Sequence, residues 1–283
     1  MGKNGHIILT NEELLALQNK GAEIFAHVIS AIEKMGLTYY CVGGTAIGAK
    51  KYHGFIPWDD DIDIAMPRDD YMKFLMEGSK YLPEHLFISS CFTEKKYFGS
   101  VAKVRDINTS YFDVETARFD ICHGAFIDVF PIDGYVPLTK KEKFWHKVLL
   151  GKIEFTQRKK KPFATKFKGF VCYLICLFKS LNRCCLDDEK LLMKHKVEDC
   201  DQVYNRIMVF KKEIFGKPTK GTFMGLEVNL PEKVDDYLFQ CYGNIDKVIP
   251  PEKQIPHHFA YLIDLNTPYT KYKYKHGRIV KKS

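Results

Sequence analysis

The chain lacks several things that would have placed it quickly. Across 283 residues, no run reaches the roughly 18 consecutive apolar residues that a membrane-spanning helix needs. The N-terminus has no basic stretch followed by an apolar one, so no secretory signal is expected. There are no internal repeats and no low-complexity segment, which argues against a solenoid or a disordered scaffold. Nine cysteines, an odd number with irregular spacing, do not form a disulfide framework and fit reduced thiols, so the cytosol is the expected compartment. Cys172, Cys176, Cys184 and Cys185 depart from regular zinc-finger spacing, although a structural zinc site there stays open.

What remains is an ordinary globular composition, 46% hydrophobic and 28% charged. The net charge of +8 is unevenly spread. Residues 139–168 hold eleven Lys or Arg against two Glu, and residues 271–282 hold six basic groups and no acid. The rest of the chain is therefore acidic, with two basic patches suited to an anionic glycan, an anionic membrane or solvent; nucleic acid is the less expected partner.

Residues 43–64, GGTAIGAKKYHGFIPWDDDIDI, carry the most chemistry. Asp61 and Asp63 sit at i and i+2 in an apolar run, so on a strand both carboxylates share one face while Ile62 and Ile64 take the other. Two anions so close repel, and a divalent cation between them relieves the repulsion. A calcium loop is disfavoured by Ile64 at the position that demands glycine and by Pro57 and Pro67 at the flanks. The acidic pair of a nucleotide-sugar glycosyltransferase would need a nucleotide-binding α/β unit ahead of it, and none is present. A third acid stands in Phe126-Ile-Asp-Val-Phe130, where Asp128 in an apolar strand demands a partner or a metal. Asp61, Asp63 and Asp128 are thus the candidate catalytic and metal-binding residues, with Mg²⁺ or Mn²⁺ as the ion. Gly43, Gly44 and Thr45, at a strand-to-helix turn, are candidate phosphate receivers, with Lys51 and Lys103 as phosphate-positioning cations. Arg105 shares a strand face with Lys103. His258 is a candidate contact for donor phosphate or acceptor. Trp58, Tyr39, Tyr40 and Tyr111 could pack on a base or cage a quaternary ammonium.

Elements follow from spacing. Thr10-x-x-Glu13 is a capping box ahead of a helix that Gly36 stops. A short strand at 38–42 leads into the glycine turn and a helix at about 45–52. An acidic strand spans about 60–66, and another helix starts at Asp69 or Asp70. Strands are expected at 86–90, 98–104, 109–114 and 125–130, with Pro131–Gly134 as a turn. Residues 139–215 read as three or four helices. Pro231 opens a helix that ends at Gly243. The expected organisation is a mixed α/β (α+β) catalytic core over 1–137, a basic and apolar helical module over 138–222, and a C-terminal part over 223–283 that packs on the core and ends in a basic tail. Phe170–Phe178 beside Arg158–Lys161 would suit an anchor on the inner membrane face.

Several strings carry a family resemblance. Gly44-Thr45-x-x-Gly48-Ala49, Gly54-Phe-Ile-Pro-Trp-Asp-Asp-Asp-Ile-Asp63, Met66-Pro-Arg-Asp-Asp-Tyr71 and Phe126-Ile-Asp-Val-Phe-Pro-Ile-Asp-Gly134 are similar to the LicD family. So is the Tyr237-Leu238, Tyr242-Gly243, Pro250-Pro251-Glu252 and His258 pattern. The resemblance implies a nucleotidyltransferase-like fold. It also implies transfer of a substituted phosphate, most often phosphocholine, from a CDP-linked donor to a sugar hydroxyl of a bacterial surface glycan. Related eukaryotic members, fukutin among them, use CDP-ribitol. Asp61 and Asp63 match the family's metal-binding pair and Asp128 its third acid. Lys51-Tyr52 stands where the family usually has Arg-His, which keeps one charge and loses the bidentate fork. The alternatives are transfer of NMP from an NTP, a CDP-glycerol, CDP-ribitol or CDP-ethanolamine donor on the same fold, and a non-catalytic polyanion binder.

Overall fold

A computed structural model describes residues 9–97, 101–134, 202–204, 208–247, 254–256 and 258–282 except 276, with isolated positions elsewhere. The first helix, α1 (Asn11–Lys34), starts at the expected capping box: the Thr10 N–H donates to Glu13 at 2.8 Å and the Glu13 N–H to the Thr10 hydroxyl at 3.2 Å. Its apolar stripe, including Ile24, Phe25, Val28 and Ile32, is fully buried. Each such side chain contributes roughly 1.5–3 kcal/mol on leaving water.

The sheet that α1 covers is mixed and seven-stranded among the described residues. Its main path runs β1 (Tyr40–Cys41), β2 (Asp63–Pro67), β6 (Ala125–Gly134), β4 (Ala102–Asp106), β3 (Leu86–Ser89). Strand β2 runs parallel to β6, and β4 antiparallel to it. Between β1 and β2 lie the short helix α2 (Gly43–Ile47) and one π-helical turn (Gly48–Tyr52), with helix α3 (Arg68–Glu77) following β2. Strand β5 (Ser110–Asp113) pairs instead with β11 (Ala260–Asp264), as a separate ribbon. Strands β9 (Thr219–Phe223) and β10 (Leu226–Leu230) form a hairpin, helix α4 (Val234–Tyr242) follows, and β12 (Tyr272–Lys275) and β13 (Arg278–Lys281) close the chain as another hairpin. The result is an α+β fold around a mixed sheet.

The structure differs from the sequence reading in four places. Pro131–Gly134 is no turn: β6 continues through it, paired with β2 at Pro131 and Ile132 and with β7 (Gln202–Tyr204) at Ile132 to Gly134. Asp133 there is buried on Arg68, with two 2.7 Å bonds. The all-helical reading of 139–215 also fails at its end, because β7 and β8 (Met208–Phe210) add to the sheet. Lys140, Phe144, Val148, Phe170, Val171 and Leu174 are helical as expected. The four candidate zinc cysteines and Arg158–Lys161 lie outside the described residues. Helix α4 begins at Val234 rather than at Pro231, with Gly243 at its end at φ +71° as the spacing predicts. The acidic strand begins only at Asp63, so Asp61 sits on its lead-in. Among the described residues no helix is long and apolar enough to cross a membrane.

Candidate active site

Three adjacent strands bring the site together. Asp63 opens β2 directly across from Asp128 of β6, and Asp128 lies across from Lys103 of β4. Side chains at paired positions share a face, so two carboxylates and an ammonium form one row. Asp61, two residues before Asp63, joins the same side: one oxygen from each of Asp61, Asp63 and Asp128 lies within 4.8 Å of the others. Ile62 and Ile64 are fully buried on the opposite face.

The glycine turn packs against these acids. Gly43 has φ +60°, and a Cβ on it would stand 2.5 Å from Asp63 Oδ2. A Cβ on Gly44 would fall even closer to an Asp59 oxygen. The two glycines thus leave room for two carboxylates to approach the backbone. Two polar groups of the turn are engaged within the fold. The Gly43 N–H donates to the Tyr237 hydroxyl at 3.0 Å, and the Thr45 hydroxyl, itself buried, accepts the Asp63 N–H at 2.8 Å. These contacts brace the aspartates; the sequence suggested the backbone N–H groups of this turn and the Thr45 hydroxyl as phosphate receivers, and a hydroxyl that accepts one hydrogen bond can still donate another. Lys51 reaches the loop after α4, bonding the Ile245 carbonyl and Asp246 at 3.1 Å each.

Lys103 bridges both oxygens of Asp128, at 2.5 and 2.7 Å, and its ammonium lies 3.6 Å from the centre of the Phe126 ring. Arg105 shares that face, buried over Phe126 and donating to the Gly124 carbonyl at 2.9 Å. His258 arrives from the segment before β11. Its backbone N–H donates to Asp60 Oδ2 at 3.2 Å, and its Nδ1 lies 3.3 Å from Asp60 Oδ1 and 3.6 Å from Asp61 Oδ2. Burial pushes the imidazole pKa down, but the Asp60 hydrogen bond and the charges of Asp61 and Asp60 outweigh it and raise it to about 9. The ring is therefore a cation near neutral pH.

The acids are pushed the other way. Burial, then the charge of Asp61, raises Asp59 to about 8. Burial and the charges of Asp61 and Asp128 hold Asp63 well above the usual carboxylate range. Asp61 is also raised, by burial first, with His258 opposing. Lys103 and His258 offset part of this crowded negative charge, and added positive charge would favour the ionised acids further. The oxygen-only donor set suits a hard divalent cation such as Mg²⁺ or Mn²⁺.

Residues 36–170 match the LicD/FKTN/FKRP nucleotidyltransferase domain. These residues form a LicD-family domain. The lipopolysaccharide cholinephosphotransferase LicD of Haemophilus influenzae is 28% identical over 254 residues, spanning 82% of this chain and 91% of that protein. The chain is a LicD-like phosphotransferase, and its domain contains the whole aspartate row together with Lys103.

Sequence reasoning missed Asp59, Asp60 and Tyr237. The acidic run itself signalled the first two, but their tasks depend on Gly44 and on His258, nearly two hundred residues away from Asp60. The aromatic cage does not form from Tyr39 and Tyr40. Both are buried, with Tyr39 accepting the Asn229 N–H and Tyr40 donating to the Gly216 carbonyl. Tyr111 packs edge-on against Phe126 at 5.1 Å.

Proposed function

We propose that the protein transfers a substituted phosphate, phosphocholine first among the choices, from a CDP-linked donor to a sugar hydroxyl of a cell-surface glycan. The observation that carries this reading is the row of Asp61, Asp63 and Asp128 with Lys103, set on the sheet of a LicD-family domain. The name of the H. influenzae relative supports the head group. Asp61, Asp63 and Asp128 would hold Mg²⁺, which when bound supplies the positive charge that phosphate oxygens and departing CMP need.

The chain's own groups then divide the work. Lys103 is the cation best placed to turn from Asp128 towards a donor phosphate, since it is held by electrostatics alone on a flexible stem. Once Lys103 turns away, an Asp128 oxygen is open to accept the proton of the attacking sugar hydroxyl. The His258 cation, fixed by Asp60, offers a second positive charge beside Asp61. Gly43, Gly44 and Thr45 hold the aspartates in position, and Lys51 fixes the loop after α4.

Thermal shift against CDP-choline, CDP-glycerol, CDP-ribitol and NTPs, each with Mg²⁺, tests the reading. CDP-choline should stabilise the protein most, and CMP should appear only when a sugar acceptor is added. Stabilisation by an NTP alone, with pyrophosphate release, would replace this reading with nucleotidyl transfer.

A further inference from the structure

A second cluster of metal-ligating side chains stands outside the aspartate row. One donor atom from each of Glu23, His27 and His85 lies within 4.8 Å of the others. Glu23 and His27 are one helical turn apart on α1, so they share one face of the helix. His85 immediately precedes β3, and its carbonyl accepts the Ile107 N–H at 2.9 Å, just past the end of β4. The cluster therefore lies at one end of β4, whereas Lys103 and the aspartates gather at the other. From Lys103 to Ile107 the extended chain covers about 14 Å, so an ion held here does not touch the reaction centre.

The donor set selects the ion. Both imidazoles are half-buried and meet edge to face, with ring centres 6.0 Å apart. Among the described residues neither ring makes a hydrogen bond or an ion pair, so their nitrogens are uncommitted within the fold. Two imidazoles and a carboxylate are ligands that Zn²⁺ and its transition-metal neighbours take, in contrast to the all-oxygen aspartate row. Around a tetrahedral ion about 2.0–2.1 Å from each donor, the donors stand roughly 3.3 Å apart and two imidazole centres about 5 Å apart. The three side chains need to close by roughly 1 Å, which a small rotation of half-buried or exposed groups supplies. Lys20 holds Glu23 at 2.7 Å and opposes a cation there, but it also pairs with buried Asp106 at 3.3 Å and keeps that partner on leaving Glu23.

We infer that Glu23, His27 and His85 form a second metal site, which takes Zn²⁺ or a similar nitrogen-seeking divalent ion rather than Mg²⁺, with water completing the tetrahedron. The ion ties helix α1 to the lead-in of β3, the strand that ends the main path of the sheet. It fastens the helix to the sheet it covers and stabilises the folded chain, because the unfolded chain does not hold the three ligands together. The inference is independent of which head group is transferred.

The test uses the full chain, stripped of metal with EDTA, kept reduced, and titrated with Zn²⁺ at neutral pH against a chromophoric chelator. Wild type should bind one more Zn²⁺ per chain than His27→Gln/His85→Gln, since any ion held by cysteines is common to both. At about a hundred times its dissociation constant this Zn²⁺ should raise the melting temperature by roughly 5 °C, and the double variant should lack that rise. Asp61→Asn/Asp63→Asn should keep both the ion and the rise, and excess Mg²⁺ should not displace the ion. Glu23 is exposed, so Glu23→Gln keeps the fold; it should bind the ion about ten-fold more weakly or worse. With Co²⁺ in place of Zn²⁺, the difference spectrum between wild type and the histidine variant should show visible bands and no thiolate band. Equal Zn²⁺ stoichiometry and an equal melting rise in wild type and His27→Gln/His85→Gln would overturn the inference. So would loss of the ion in the aspartate variant, unchanged affinity in Glu23→Gln, or a thiolate band in the difference spectrum.

Discussion

Gly43→Ala tests how the glycine turn serves the carboxylates. The added Cβ would stand 2.5 Å from Asp63 Oδ2, whereas ordinary contact begins at 3.4 Å. The Asp63 side chain must therefore retreat by about 0.9 Å, because the turn is itself fixed by the Tyr237 hydroxyl and cannot yield freely. The positive φ adds a backbone cost of roughly 1–2 kcal/mol for any residue with a Cβ. Relieving the clash brings the total to about 2–3 kcal/mol, or a melting temperature lower by roughly 5–10 °C for a chain of this size. A displacement near 1 Å at a reacting group lowers turnover on the order of 100-fold. Gly36→Ala is the matched control: its φ is +65°, and nothing lies within 4 Å of the added Cβ. It should show the backbone cost with unchanged activity. The assay is CMP release from CDP-choline with a sugar acceptor, beside a thermal melt for each variant. If Gly43→Ala kept turnover within about three-fold of the Gly36→Ala control, the idea that the turn positions Asp63 would be refuted.

Two further predictions concern stability. Arg68→Ala strands the buried Asp133 carboxylate and should cost about 3–5 kcal/mol by chemical denaturation, while Arg68→Met/Asp133→Leu should recover most of the loss; a cost below about 1 kcal/mol in the single variant would contradict the account. Burial pushes His123 from its ordinary 6.5 down to about 4, so between those values the unfolded chain takes up a proton that the folded chain refuses. Stability should fall as pH drops through that window, by about 3 kcal/mol in all, and His123→Phe should remove this slope. Parallel pH curves for the two proteins would show that His123 plays no such part.

The row of aspartates was legible in the sequence because its information is local. Asp61 and Asp63 declare a shared face by their spacing, and Asp128 declares itself by its apolar neighbours. The capping box at Thr10 and Glu13 was legible for the same reason. What stayed hidden depends on approach between distant segments. Nothing near Gly43 announces Tyr237, and nothing near Asp60 announces His258. Pro131 and Gly134 carry strong turn signals, yet β2 and β7 pair with that segment and extend the strand, so tertiary pairing overrode local propensity. The same pairing turned residues 202–210 from expected helix into two strands.

The most direct test of the central claim is CMP release from CDP-choline in the presence of a sugar acceptor by wild type and Asp63→Asn, measured with and without Mg²⁺. Asparagine keeps the shape of Asp63 and removes one of several crowded negative charges, so the variant should melt no lower than wild type. The account predicts Mg²⁺-dependent release by wild type and a loss of about 1000-fold or more in the variant. Release by a folded Asp63→Asn protein within about ten-fold of wild type, still stimulated by Mg²⁺, would contradict it.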